Sequence, residues 1–304
     1  MSTTETSPKT TAGVPTVPPT PSRVKDIVRQ LVGTPRVIVG LSMIALLLLF
    51  AFIGPLLTGW DIGERDYLAL KSPPSPEHWM GTNATGQDIF TQASAGLQKS
   101  LLIGLLVALM STAIAALVGS FAGYFSGIPD RALMWIADLA LVLPSFVVLA
   151  ILSKHFGGDG GWFVLVILLA GFSWMVTSKM IRGMTISLRE REYIHAARFM
   201  GVPSHKIILR HILPNMSSLL IADATIAVST AIIGETSLSY FGLGVQAPDI
   251  SLGVVIADGS RFATTAWWMF LFPTLLLVIL VLAVNMIGDG LRDALDPQSK
   301  SRRS

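Results

Sequence analysis

The sequence of 304 residues contains no cysteine, which excludes a disulfide framework, a thiolate metal site and a thiol nucleophile. Charge is scarce as well: 13% of positions are Asp, Glu, Lys or Arg, against 52% hydrophobic, a balance outside that of soluble domains. No Gly-Lys pair occurs anywhere, so the Gly-x4-Gly-Lys-[Ser/Thr] loop that cradles nucleotide phosphates is excluded. The net charge of +3 is too small to argue for nucleic acid, and the basic residues have to be read by position. What is abundant is long apolar runs. A helix crossing the hydrocarbon core needs about 20 such residues, because its backbone groups find no water to bond there.

The runs predict an all-α polytopic membrane protein with about six transmembrane helices. Fifteen of the first 22 residues are Ser, Thr or Pro, so residues 1–35 read as a disordered tail, and the apolar run that begins after Arg36 reads as a retained anchor. That first span, about Val37 to Leu57, and a polar segment holding Pro73, Pro74 and Pro76 make up residues 36–96. Residues 97–290 hold five further spans: Leu101 to Phe125, Ala132 to Leu152, Gly161 to Ser178, Met216 to Val245 and Trp267 to Gly288. The second ends on Gly119, Gly123 and Gly127, whose four-residue spacing predicts a close-packed seam. Asp223 and Glu235 make the fifth the weakest apolar run. Residues 291–304 form a second tail.

Lys and Arg are placed unevenly. The first tail with Arg36 has five, the turn at Arg131 one, the loop after the fourth span seven and the last tail four, against Arg65, Lys71, Lys99, Lys154 and Arg261 on the other side. The excess of basic residues on cytoplasmic loops predicts both termini and the charged loop in the cytoplasm.

Within that loop, at 182–214, Ser187 and Glu190 have capping-box spacing and predict a helix start. Gly201 suits the left-handed residue that ends a helix, and Pro203 the first turn of a second one. The loop is therefore expected to project as helix, turn, helix. A solvated basic connector lying near anionic lipid accounts for the same residues.

The run from His195 through "AARFMG" to "ILPN" resembles the EAA loop of ABC importer permeases, with Ala196, Ala197, Gly201, Leu213 and Pro214 in register. "SPEHWMGTNATGQDIF" (Ser75 to Phe90), "GETSLSYFGLGVQAP" (Gly234 to Pro248) and "NMIGDGLRDALDP" (Asn285 to Pro297) resemble the C-type permease subunit of oligopeptide and dipeptide importers. His195 stands where that family usually has Glu, and Asn83 and Gln87 stand where it usually has Asp and Arg. The resemblance implies a type I ABC importer permease fold in the cell membrane, with a cytoplasmic coupling helix that docks on the ATPase through His195, Ala196, Ala197, Arg198 and Gly201. It implies a homologous B-type permease as heterodimer partner, ABC ATPase subunits and an extracytoplasmic substrate-binding protein. It implies no enzymatic activity on this chain and no cofactor. Peptides are the implied substrate, with nickel or another small solute as the alternative among close relatives.

Acids inside spans are costly, so Asp138, Asp223 and Glu235 are candidates for the translocation pathway, or for hydrogen bonds that glue helices together. Pro144 and Pro273 read as kinks. His205 and His211 lie on opposite sides of a helical wheel and no carboxylate pair completes a metal site. Trp60, Trp162, Trp174, Trp267 and Trp268 lie near span ends, as aromatic belts do. A secondary transporter would show two comparable halves, and a membrane-embedded enzyme would need convergent catalytic groups; neither pattern is visible.

Overall fold

The computed structural model describes residues 34–155 and 161–295. The expected N-terminal tail, apart from Thr34 and Pro35, and residues 296–304 lie outside the described residues. The described chain is helical, with α1 at Pro35–Leu57, α2 at Ile89–Phe125, α3 at Gly127–Val142, α4 at Ser145–His155 and α5 at Gly161–Arg189. There follow α6 at Glu192–Phe199, α7 at Ser204–Ile207, α8 at Ser217–Tyr240, α9 at Leu252–Ser260 and α10 at Trp268–Leu295. Five helical stretches are long and apolar enough to cross a membrane: α1, α2, α5, the continuous run Ser204–Tyr240, and α10. The α3–α4 pair makes a sixth if taken as one span. The chain is thus a multi-pass membrane protein of the expected helical class.

The hydrogen-bonding and packing reasons for these elements are local. Asp88 precedes α2 and accepts from the Thr91 amide at 2.8 Å, an N-cap that contributes about 1 kcal/mol. From there α2 runs through the middle of the bundle, packed along α5 and touching α1, α8 and α9. The α2–α5 contact is close because Gly119 and Gly123 present no side chain: a Cβ at either would strike the carbonyl oxygen of Ser178 or Arg182. Gly127 does not join that seam. It has a φ of +68° at the start of α3 with open space around it.

One apolar core joins Ile103 and Val107 of α2, Leu165 and Leu169 of α5, and Leu238 of α8. A second joins Leu47 of α1, Leu97 of α2, Ile232 of α8, Leu252 of α9 and Leu280 of α10.

The polar segment after α1 folds back over the start of α2. Buried His78 bonds Asp88 at 3.0 Å through Nδ1, and the Trp60 ring stacks on it at 4.5 Å. Asn83 Nδ2 donates to Gln87 Oε1 at 2.9 Å, so a neutral amide pair occupies the two positions where relatives are expected to carry Asp and Arg. Trp268 Nε1 reaches Thr82 O at 3.4 Å, which places this belt candidate inside the packing instead of at a lipid boundary.

Four expectations need correction. The span Ala132 to Leu152 is two helices meeting at 81°, because Pro144 has no N–H to continue the ladder and holds Leu143 extended, at φ −71° and ψ 133°. No helix starts at Ser187. Instead α5 runs through it to Arg189, held by the packing of Thr185 and Leu188, and Glu190 pairs with Arg189 at 2.9 Å instead of reaching back to Ser187. The second short helix is not separate either: α7 passes through a π turn (Ile208–Ile212) and a 3-10 turn (Leu213–Met216) straight into α8. Finally, α9 was not anticipated, since Gly253 and Gly259 lower its intrinsic helix propensity and Ser251 alone caps it, accepting from Val254 N at 3.3 Å.

Candidate coupling surface and intramembrane polar sites

The short helix α6 carries the motif residues, and its end is built by backbone geometry. Gly201 has φ +79°, its N–H donates to Arg198 O at 3.0 Å, and Val202 N–H donates to Ala197 O at 3.1 Å. Those two bonds are a Schellman motif, completed by the apolar contact that Val202 and Ala197 make in the core beneath. Open space surrounds Gly201, so its requirement is conformational and not steric crowding.

The two faces of α6 differ. Ile194 and Ala197 are buried, at 1% and 3% exposure, against Tyr124, Ile181, Ile207, Ile212 and Met216. The opposite face shows Tyr193 and Ala196, and the helix ends in Phe199 and Met200, which are 90% and 76% exposed. Of the motif residues, therefore, Ala197 holds the helix to its own subunit, Gly201 shapes its end, Ala196 faces outward, and Arg198 is exposed at the edge where the helix meets the bundle. His195 Nε2 lies 3.7 Å from Glu190 Oε2, so the imidazole sits over the turn that precedes α6. Phe199 and Met200, the largest apolar groups of the surface, were passed over in the sequence because they carry no family letter; only their exposure singles them out.

Two arginines tie this projection to the bundle. Arg189 Nη1 donates to Gly123 O at 3.1 Å, to Tyr124 O at 3.4 Å and to Ser126 Oγ, filling the carbonyls left open at the end of α2. The Arg198 guanidinium lies 5.4 Å from the centre of the Tyr124 ring. Arg182 forms a two-point pair with Asp130, with Nη2 to Oδ2 at 2.6 Å, joining α5 to the first turn of α3. Neither partner was singled out in the sequence: they are 52 residues apart, and nothing in local spacing connects them.

The three intramembrane acids occupy three different settings. Asp138 on α3 pairs with Lys179 on α5, and both stay open, with side chains 61% and 40% exposed. Asp223 on α8 accepts from Thr177 Oγ1 at 3.2 Å. Glu235 is fully buried and accepts from Ser239 and Ser251 at 2.6 Å each, with Ser100 at 3.5 Å. Ser100 Oγ in turn accepts from Leu252 N at 3.1 Å, so one carboxylate gathers α2, α8 and the start of α9. The acids do not converge on a common point. No group of three metal-ligating side chains occurs among the described residues.

A multi-pass helical bundle with a short, capped helix projecting between two spans has the architecture of a membrane transport subunit. The chain belongs to the binding-protein-dependent transport system inner membrane component family, the permease subunits of ABC importers, whose model matches residues 115–301. The N-terminal TM domain of oligopeptide transport permease C matches residues 22–74. The chain is 50% identical over 282 residues to the oligopeptide transport system permease protein OppC of Mycobacterium tuberculosis, covering 93% of this chain and 97% of that one. It is 33% identical over 274 residues to OppC of Bacillus subtilis, covering 90% and 89%. It is also 33% identical over 281 residues to the dipeptide transport system permease protein DppC of the same organism, covering 92% and 87%. Membership implies ATPase and substrate-binding partners and a paired permease, and it places ATP hydrolysis on other chains.

Proposed function

We propose that this chain is one of two permease subunits of a peptide importer in the cytoplasmic membrane, forming half of the pathway for oligopeptides or dipeptides. The observation that carries this reading is the likeness to oligopeptide permeases across 93% of the chain. Both termini and the loop lie in the cytoplasm, as the distribution of basic residues argues. The partners are a homologous B-type permease, ABC ATPase subunits below, and an extracytoplasmic binding protein that delivers the peptide.

In this reading α6 is the coupling helix. Phe199, Met200 and Ala196 supply the docking face, since a buried apolar anchor contributes most of the energy of such an interface. Ala197 and Ile194 pass its movement into the bundle, and Gly201 sets its end. The open Asp138–Lys179 pair borders the water-filled pathway, because two charges exposed at that depth are costly against lipid. Glu235 has the opposite role: its bonds are all to its own subunit, which fits a structural junction.

The test is uptake of labelled di- and oligopeptides by vesicles holding the chain with its co-expressed partners, with nickel uptake measured beside it. Peptide uptake that needs ATP and the ATPase chains is expected. Uptake of nickel and of no peptide would overturn the substrate assignment, and turnover of ATP by this chain alone would overturn the division of labour.

A further inference from the structure

Two ion pairs join the same helices, α3 and α5, and they differ in kind. Asp130 and Arg182 meet in a two-point bridge whose carboxylate is 10% exposed, as suits a structural tie. Asp138 and Lys179 lie farther from the helix ends, Lys179 about 15 Å along α5 from Arg189, yet they stay open, at 61% and 40%. An open pair adds little stability, so a substrate charge displaces one partner at small cost.

A second acid stands at the same level. Asp223 of α8 accepts from Thr177 Oγ1 at 3.2 Å and forms no ion pair among the described residues. Thr177 and Lys179 differ by about 3 Å along α5 and lie on opposite sides of it, so Asp138 and Asp223 flank one stripe of that helix. At about 100° per residue Val176, Met180 and Gly183 fall in the arc between them, and all three are exposed. The stripe thus has two carboxylates beside it and one cation, a surplus that favours a cationic guest.

We infer that Asp138 is a specificity-determining residue of the pathway, receiving the free terminal ammonium of the passing peptide, while Lys179 holds the carboxylate in place between passages. The inference rests on the peptide-importer reading above. The terminal ammonium is the cation that every unblocked peptide carries whatever its sequence, so it suits a site that serves many peptides. A stripe covered by lipid or by the partner permease is the rival arrangement. Either cover would take Asp138 and Lys179 out of water with no further partner to satisfy them, an unfavourable exchange.

The experiment uses inside-out vesicles holding the full chain with its co-expressed partners. Val176→Cys supplies the chain's one thiol, since the sequence has no cysteine. Its modification by a trimethylammonium or a sulfonate methanethiosulfonate reagent is followed by mass, each rate being divided by that for a free thiol. The cationic reagent is expected to react about fivefold faster, as the pull and push of one net charge at roughly 8 Å in water require. Adding Asp138→Asn should bring that ratio to about one, because Lys179 then offsets Asp223. Asp138→Glu should restore both the ratio and the peptide uptake that Asp138→Asn loses. Trialanine should slow the cationic reagent, and N-acetyl-trialanine should not. No reaction with either reagent would show the stripe covered and overturn the site. Equal rates for the two reagents beside an intact Asp138, or equal protection by the two peptides, would overturn the ammonium assignment alone. Absence of all peptide uptake by the unaltered complex would sink the importer reading, whatever the reagents do.

Discussion

Gly201 shows how one residue shapes a functional surface. A left-handed backbone costs a residue with a Cβ about 1–2 kcal/mol, more when it is β-branched, and here no neighbour would be struck. Gly201→Val should therefore leave assembly intact and misdirect Phe199 and Met200, so peptide uptake collapses while basal ATP hydrolysis persists. Gly201→Asn, which tolerates that conformation, should retain most uptake. Normal uptake by the Val variant would remove the conformational account. Phe199→Ala should weaken retention of the ATPase by roughly tenfold or more, if the exposed ring is the anchor of the docking face; unchanged co-purification would reject that role. At Glu235 the substitution matters more than the loss of charge. Glu235→Gln keeps an acceptor for Ser239 and Ser251, whereas Glu235→Leu strands both hydroxyls, at about 1–3 kcal/mol each. Thermal unfolding in detergent should show a small loss for the former and a large one for the latter, and equal losses would contradict the junction role.

At the scale of elements, the projection is held by contacts that cross the chain. Arg189 ends α5, yet its side chain completes α2, and Arg182 fastens α5 to α3 about two turns earlier. Arg189→Ala should free two carbonyls at the end of α2 and let α6 tilt without removing any residue from its proposed docking face. The expected outcome is reduced peptide uptake per ATP hydrolysed, with Arg189→Lys restoring part of it through a single donor. An unchanged ratio in the Ala variant would show that the end of α2 does not guide α6. The break at Pro144 belongs to the same scale: α3 and α4 turn away from each other because proline stops the ladder, and the apolar surface of both, including Trp135, Leu139 and Phe146, stays open.

For the whole molecule, orientation is the property on which the other proposals depend. A cysteine at Leu68, which is fully exposed, should react with an impermeant reagent in intact cells, and one at His205 should react only after the membrane is opened. The reverse pattern would turn the molecule over and put the projection out of reach of any cytoplasmic ATPase. A chain purified alone should hydrolyse no ATP, because it holds no loop of backbone amides for the phosphates.

The sequence by itself determined the class, five of the spans and the place of the motif, because a bilayer demands long uninterrupted apolar runs and those are visible without a fold. It also determined the end of α6, since only glycine takes a left-handed turn cheaply and Gly201 stands where one was expected. The start of that helix was decided by tertiary contact: the capping pair Ser187 and Glu190 lost to the packing of Thr185 and Leu188 and the grip of Arg189 on α2. So was the division of the motif into an inward residue, Ala197, and an outward one, Ala196, because alanines one position apart differ only in which face of the helix the bundle covers. The three acids were legible as exceptions in apolar runs, but their settings were not. Burial of Glu235 among serines from three segments, and exposure of Asp138 beside Lys179, depend on which helices lie side by side, and pairings between residues far apart in sequence leave no local pattern to read.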